Sequence, residues 1–258
     1  YLTFYLDEEE DKGTILLNIR KELDKMRAYL DVGACMIEES QTEDVDWVNN
    51  WKQYFHPFTV DQILIKPTWE EVPEEHKDKL MIEIDPGTAF GTGSHETTQL
   101  CIRQIQKYLK HGDRVLDVGT GSGILAIAAL KLGAGSAFGT DLDETAITAA
   151  RENAEVNGIS EADFGLVQGN IIDDEEIQKA AGLGCYDIVV ANILAPVIIM
   201  LQGEAARHLK PGGIFITSGI INTKEEDVKD AFAANSDWEI LEITHQNDWV
   251  SVTAKKRG

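Results

Sequence analysis

Residues 115–123 read V-L-D-V-G-T-G-S-G, and they constrain the fold more than any other feature of the chain. An apolar run that suits a buried strand passes into glycines at alternate positions, and helical spacing resumes at Leu125. Glycine lets the backbone turn sharply and approach a ligand with no Cβ in the way. The helix beyond offers unpaired N–H groups and the positive end of a dipole. A tight strand–helix connection alone seldom uses three such glycines.

The sequence on either side continues the same alternation. Strand-like runs fall at 114–118, 136–140, 164–168, 186–191 and 213–217, with helical spacing at 125–131, 144–156, 171–181 and 196–209. Apolar strands alternating with helices imply a parallel sheet covered on both faces. The chain ends differently, in two alternating runs at 238–244 and 249–254 joined by a turn at 245–248. The expected fold is therefore α/β and Rossmann-like, a mostly parallel seven-stranded sheet with an antiparallel C-terminal hairpin.

Upstream, residues 1–42 read as a small α+β piece. Weak alternation over 1–6, helical spacing over 15–29 and a short run at 35–39 suggest strand, helix and strand. The chain opens without a methionine inside a strand-like run, so this domain is expected to be incomplete. Residues 43–57 read as a connecting helix, with Val45, Trp47, Val48, Trp51 and Phe55 on a helical period before Pro57. Residues 58–258 form the main domain, beginning with a strand at 63–65 and an acidic loop at 67–75.

Composition narrows the partners. The net charge of −22 opposes nucleic acid, whose binding draws on Lys and Arg to release counterions, and it favours a basic partner. Acidity that merely keeps the chain soluble is an equal reading of charge alone. Cys35, Cys101 and Cys185 share no metal-ligand spacing and form no disulfide framework, so no metal is expected and a reducing cytoplasm fits best. The longest apolar run, 193–201, falls short of the ~18 residues of a membrane span.

Two details choose the ligand. Dinucleotide sites use G-x-G-x-x-G, whereas here the spacing is G-x-G-x-G and Ile124 stands at the later position. Asp117 also precedes the first glycine inside the strand; a carboxylate there suits a ligand ammonium and repels a pyrophosphate. S-adenosylmethionine, with its amino-acid moiety, is the better ligand. Gly119 and Gly121 would lie against it, and Asp141, ~20 residues on at the end of the next strand, suits ribose hydroxyls. Asn170 is read either at the adenine edge or as a turn former.

Asn192 stands just past the fourth strand of the alternation, at the sheet edge where ligands bind. A neutral side-chain acceptor there suits an attacking amine, whose lone pair must be aligned with the cofactor methyl. Residues 85–98, D-P-G-T-A-F-G-T-G-S-H-E-T-T, form a shaped loop before a helix starting near Thr98. Phe90 and Thr98 are its candidates for contact with cofactor, and His95, with Asn192, a candidate for catalysis. His95 is read both as a proton acceptor and as a loop-fixing hydrogen-bond partner.

These residues resemble the bacterial methyltransferases of ribosomal protein L-eleven, the PrmA type. The loop at 85–98, the turn at 115–123, the run Asn192-Ile193-Leu194-Ala195 and the tryptophan-rich stretch at 47–55 carry the resemblance, which covers residue 40 onward. It implies cofactor contacts at Thr98, Gly119, Asp141 and Asn192, with Phe90 and Gly121 nearby. It also implies trimethylation of the α-amine and lysine ε-amines of a basic ribosomal protein, gripped by a ferredoxin-like N-terminal domain on a helical linker. A monomer is expected. The family usually has methionine, threonine and proline where this chain has Thr88, Ser94 and Glu96, and Glu96 is expected to loosen the loop. Rival readings are a methyltransferase for another substrate and a non-catalytic adenosine-nucleotide-binding module. Glutamine methyltransferases carry Asn-Pro-Pro-Tyr where this chain has Asn192-Ile193-Leu194-Ala195. A dehydrogenase is opposed by the glycine spacing.

Overall fold

The structure is a computed structural model that describes residues 11–26, 56–85 and 95–258. Its contacts divide the chain into two compact units, Tyr1–Trp51 and Lys52–Gly258. In the first, helix α1 spans Lys12–Met26. It starts three residues earlier than the spacing suggested because Asp11 caps it, accepting from the Thr14 N–H at 3.2 Å and the Thr14 hydroxyl at 2.6 Å. The strands expected at 1–6 and 35–39 and the connecting helix lie outside the described residues.

The second unit contains the expected sheet. Its strands are β4 (Arg114–Val118), β5 (Ser136–Asp141), β6 (Phe164–Gln168), β7 (Tyr186–Asn192), β8 (Leu209–Ile221), β9 (Trp238–Gln246) and β10 (Trp249–Lys256). They lie in the order β6-β5-β4-β7-β8-β10-β9, parallel through β8 and antiparallel at the hairpin. The order reverses between β4 and β7, which makes their carboxyl ends the switch point where open α/β sheets bind ligands.

Helices α2 (Glu96–Tyr108), α3 (Ile124–Lys131) and α4 (Glu144–Val156) belong to one apolar layer; α5 (Glu175–Ala181), α6 (Ala195–His208) and α7 (Glu225–Ala234) belong to the other. The strands' period of two divides their side chains accordingly. Val115, Ile188, Val190 and Ile216 enter the first layer, Leu116, Val118, Val189 and Phe215 the second.

Several boundaries differ from expectation for local reasons. The helix expected at 171–181 is shortened to α5 because the Asp174 carboxylate accepts from the Glu176 N–H at 2.8 Å and caps it there. Asn170 closes a turn by accepting from the Ile172 N–H at 3.1 Å. Strand β8 is thirteen residues long, well beyond 213–217, and carries an irregularity opposite Tyr186–Ile188. The hairpin turn tightens to Asn247 and Asp248, with Asn247 at φ +52°. A second, three-stranded sheet of β1 (Phe58–Val60), β2 (Ile63–Lys66) and β3 (Leu80–Glu83) joins the first core layer, where only β2 had been expected. Among the described residues no helix is long and apolar enough to cross a membrane.

Candidate active site

The glycine turn leaves β4 and enters α3 at the switch point. Gly119 and Thr120 both donate their N–H to the Thr140 carbonyl of β5, at 2.8 and 3.0 Å. Gly119 sits at φ +71°, and a Cβ there would come within 2.6 Å of the Ile193 side chain. Conformation and close approach therefore both require glycine. The Gly121 N–H donates to Asp141 Oδ2 at 2.9 Å. Asp141 Oδ1 accepts from the Asp143 N–H at 3.1 Å, and Asp143 in turn caps α4. The half-exposed Asp141 carboxylate thus holds the turn and keeps lone pairs for hydroxyl donors.

Asp117 is fully buried on the face of β4 covered by α2 and α3. Its Oδ2 accepts from the Thr120 hydroxyl at 3.0 Å and the Ala126 N–H at 3.1 Å. Among the described residues its Oδ1 has no hydrogen-bond partner. Burial pushes its carboxyl up to about 7; the two hydrogen bonds oppose the rise and the nearby Asp141 charge adds to it. A buried carboxylate oxygen without a donor fits a ligand ammonium, and Asp141 fits a pair of ribose hydroxyls. Both suit S-adenosylmethionine.

The other side of the site comes from distant chain. Asn192, the last residue of β7, donates its amide N–H to the Thr98 hydroxyl of α2 at 3.2 Å, 94 residues away in sequence. Thr98 is fully buried and Asn192 half-buried, and the amide oxygen is the acceptor that Thr98 does not engage. Leu194, two residues further, caps α6 with 69% of its surface exposed, an apolar side chain on the lip of the site.

His95 is the N-cap of α2. Its Nδ1 accepts from the Thr97 N–H at 3.3 Å and lies 2.9 Å from the Thr97 hydroxyl. Its ring meets Trp249 edge-on, with 4.9 Å between centroids. An Nδ1 that accepts an N–H leaves the proton of the neutral ring on Nε2. This geometry fits loop fixing, one of the two roles between which the sequence left His95. Residues 86–94 of the loop that Glu96 was expected to loosen lie outside the described residues. At the described end of that loop, Glu96 accepts from the Asn247 amide at 3.0 Å and ties the start of α2 to the hairpin turn. The backbone N–H at the helix start, with help from Asn247, holds its carboxyl below the usual range. Phe90, Thr88 and Ser94 lie outside the described residues.

The structure therefore gathers Asp117, Gly119, Gly121 and Asp141 at one edge of the switch point and Asn192 with Thr98 at the other. The two halves meet at Ile193. Its side chain faces Gly119, its N–H donates to the Ser218 carbonyl at 3.1 Å, and its own carbonyl would lie 2.3 Å from a Cβ on Gly219. Gly219, at φ +85°, was missed in the sequence. It is one glycine at the end of a strand, and nothing local marks its role.

Fold and site together define a class I, Rossmann-like methyltransferase dependent on S-adenosylmethionine. A family model described as ribosomal protein L11 methyltransferase (PrmA) matches residues 2–257. A relative of that name from Lachnospira eligens is 54% identical over 256 residues, which is 99% of this chain and 80% of the relative. Another, from Agathobacter rectalis, is 52% identical over 260 residues with the same coverage of 99% and 80%. The solved structure of a ribosomal protein L11 methylase from Lactobacillus delbrueckii subsp. bulgaricus is similar at a TM-score of 0.70 and 36% identity, covering 79% of this chain and all of that one. The chain belongs to the ribosomal protein L11 methyltransferase family.

Proposed function

We propose that this chain transfers methyl groups from S-adenosylmethionine to the α-amine and lysine ε-amines of ribosomal protein L11. The observation that carries the reading is the contact between Asn192 and Thr98 beside the glycine turn, which places an oriented neutral acceptor at the switch point. The names of the relatives support the substrate, and a net charge of −22 suits a basic one.

The bound cofactor supplies a methyl group activated by a positively charged sulfur. Asp141 would take the ribose hydroxyls, Asp117 Oδ1 the ammonium, and Gly119 and Gly121 would let the backbone approach; Phe90 and Thr98 would complete the cofactor contacts. The amine must arrive neutral, although a free lysine with pKa ~10.4 is mostly charged at neutral pH. The Asn192 amide oxygen accepts an amine N–H and turns the nitrogen lone pair toward the methyl. Thr98 fixes which end of that amide faces the amine. His95 serves by holding the start of α2. Leu194 offers an apolar surface to the methylene stem of a lysine.

Residues 1–42 act as the substrate-gripping domain, 43–57 as its linker and 58–258 as the catalytic domain. The enzyme works as a monomer in the cytoplasm without direct contact to nucleic acid. Incubation with L11 and cofactor, followed by intact-mass measurement, tests the reading. Methyl increments should appear on L11 and vanish when its amines are blocked. A chain that binds cofactor yet leaves L11 unmodified would overturn it.

A further inference from the structure

We propose that Asn153 of α4, which has no direct place at the cofactor, is a positioning residue that sets the glycine turn for cofactor binding by tying it to the strand end at Asp85. The inference rests on the reading that the turn and Asp141 hold the cofactor.

Asn153 is 2% exposed and forms two long-range hydrogen bonds through one amide. Its Nδ2 donates to the Ser122 carbonyl inside the glycine turn at 2.9 Å, and its Oδ1 accepts from the Asp85 N–H at 3.0 Å. Asp85 is anchored in turn, since its two carboxylate oxygens accept from the Thr68 N–H and hydroxyl, each at 2.8 Å. One helical turn on, Asn157 makes the matching pair with β3. Its Oδ1 accepts from the Glu83 N–H at 3.0 Å, and its Nδ2 donates to the Glu83 carbonyl at 2.6 Å.

Positions 150, 153 and 157 share one face of α4. Ala150 presses on the turn so closely that a Cβ on Gly123 would lie 3.1 Å from its own. The same helix starts at Asp143, whose N–H rests on Asp141, the carboxylate that holds Gly121. Helix α4 thus braces the turn at two points, Asp141 at its start and Asn153 further along, and Asn153 relays the position of β3. A short amide supplies one donor and one acceptor at once. Aspartate keeps only the acceptor, and alanine keeps neither.

The test compares Asn153→Ala, Asn153→Asp, Asn157→Ala and Asp141→Ala by calorimetric Kd for S-adenosylmethionine, thermal unfolding, and KM against kcat. Asn153→Ala should weaken cofactor affinity about two- to thirty-fold, with KM for cofactor rising in step and kcat at saturation held. Asn157→Ala loses the two bonds to Glu83 and one to the Asn153 carbonyl but leaves both Asn153 side-chain bonds in place, so it should lower Tm while leaving Kd within about twofold.

Should Asn153→Ala fold poorly, Asn153→Asp keeps the acceptor for Asp85 but sets a carboxylate oxygen against the Ser122 carbonyl in place of the N–H donor, and its Kd should weaken as well. Parental affinity in a folded Asn153 variant would overturn the proposal, as would an equal loss of affinity in Asn157→Ala. Undiminished affinity in Asp141→Ala would instead overturn the cofactor-site reading itself. A loss in Asp141→Ala without one in Asn153→Ala would remove the positioning role alone.

Discussion

On the β4–β5 side of the site the working groups come from short stretches of chain: Asp117, Gly119 and Gly121 lie within five residues, and Asp141 reaches them through a single hydrogen bond to the Gly121 N–H. On the β7–α2 side, Asn192 finds Thr98 across 94 residues, and the hairpin joins through Glu96–Asn247 and His95–Trp249. The first side is rigid backbone with two carboxylates, suited to holding a ligand. The second is side-chain amide and hydroxyl on separate elements, suited to orienting a reacting group. Ile193, wedged between Gly119 and Gly219, ties one to the other alongside the direct pairing of β4 with β7.

If the two sides divide binding from transfer, substitutions should separate the two functions. Asn192→Ala carries the largest expected effect: single-turnover methyl transfer to L11 should fall about 100-fold or more, because the amine loses the acceptor that aligns it. Asp141→Ala should act on the other side, weakening cofactor Kd about tenfold by calorimetry, since it removes the ribose acceptor and the support of Gly121.

A pH series probes Asp117. Its carboxyl titrates near 7 in the folded chain against an ordinary value of 3.8, so between those values the folded state holds the extra proton. Stability should therefore decline as pH rises from about 4 toward 7 and level off above. An ammonium pairs only with the ionised form, so cofactor affinity should rise as pH climbs from about 6 through 7 and then level off, since the ligand's own α-ammonium loses its charge from a pKa of about 7.7–8.0. Asp117→Asn should flatten both profiles. The smallest effect is expected for Glu96→Ala, which unties an exposed hairpin contact. Its Tm should shift at the edge of detection, with cofactor affinity unchanged.

The same contrast governs what was legible in the sequence. The glycine turn, the alternation of strands and helices, the C-terminal hairpin and Asp141 are written in local spacing, and they appear in the expected order, with boundaries moved at α5, β8 and the hairpin turn. Asn192 and Thr98 were each marked by position on an element, yet their contact was not, because no local pattern encodes a pairing across 94 residues. Gly219 and Asn153 were missed for that reason: each is an ordinary residue in its own segment, and its importance lies in what approaches from elsewhere. Strand β3 hides because only Ile82 of its four residues is fully buried, too little for an alternation to register. The contact of Glu96 was hidden likewise, because its partner, Asn247, arrives from the hairpin turn.

The division of roles is tested most directly by measuring cofactor Kd and single-turnover transfer side by side on Asn192→Ala and Asp141→Ala. The expected result is a crossing. Asn192→Ala should lose about 100-fold in transfer and less than about fivefold in affinity, while Asp141→Ala should lose affinity and recover most transfer at saturating cofactor. Two variants that lose affinity and transfer in the same proportion would contradict it, and would make Asn192 one more cofactor-holding residue.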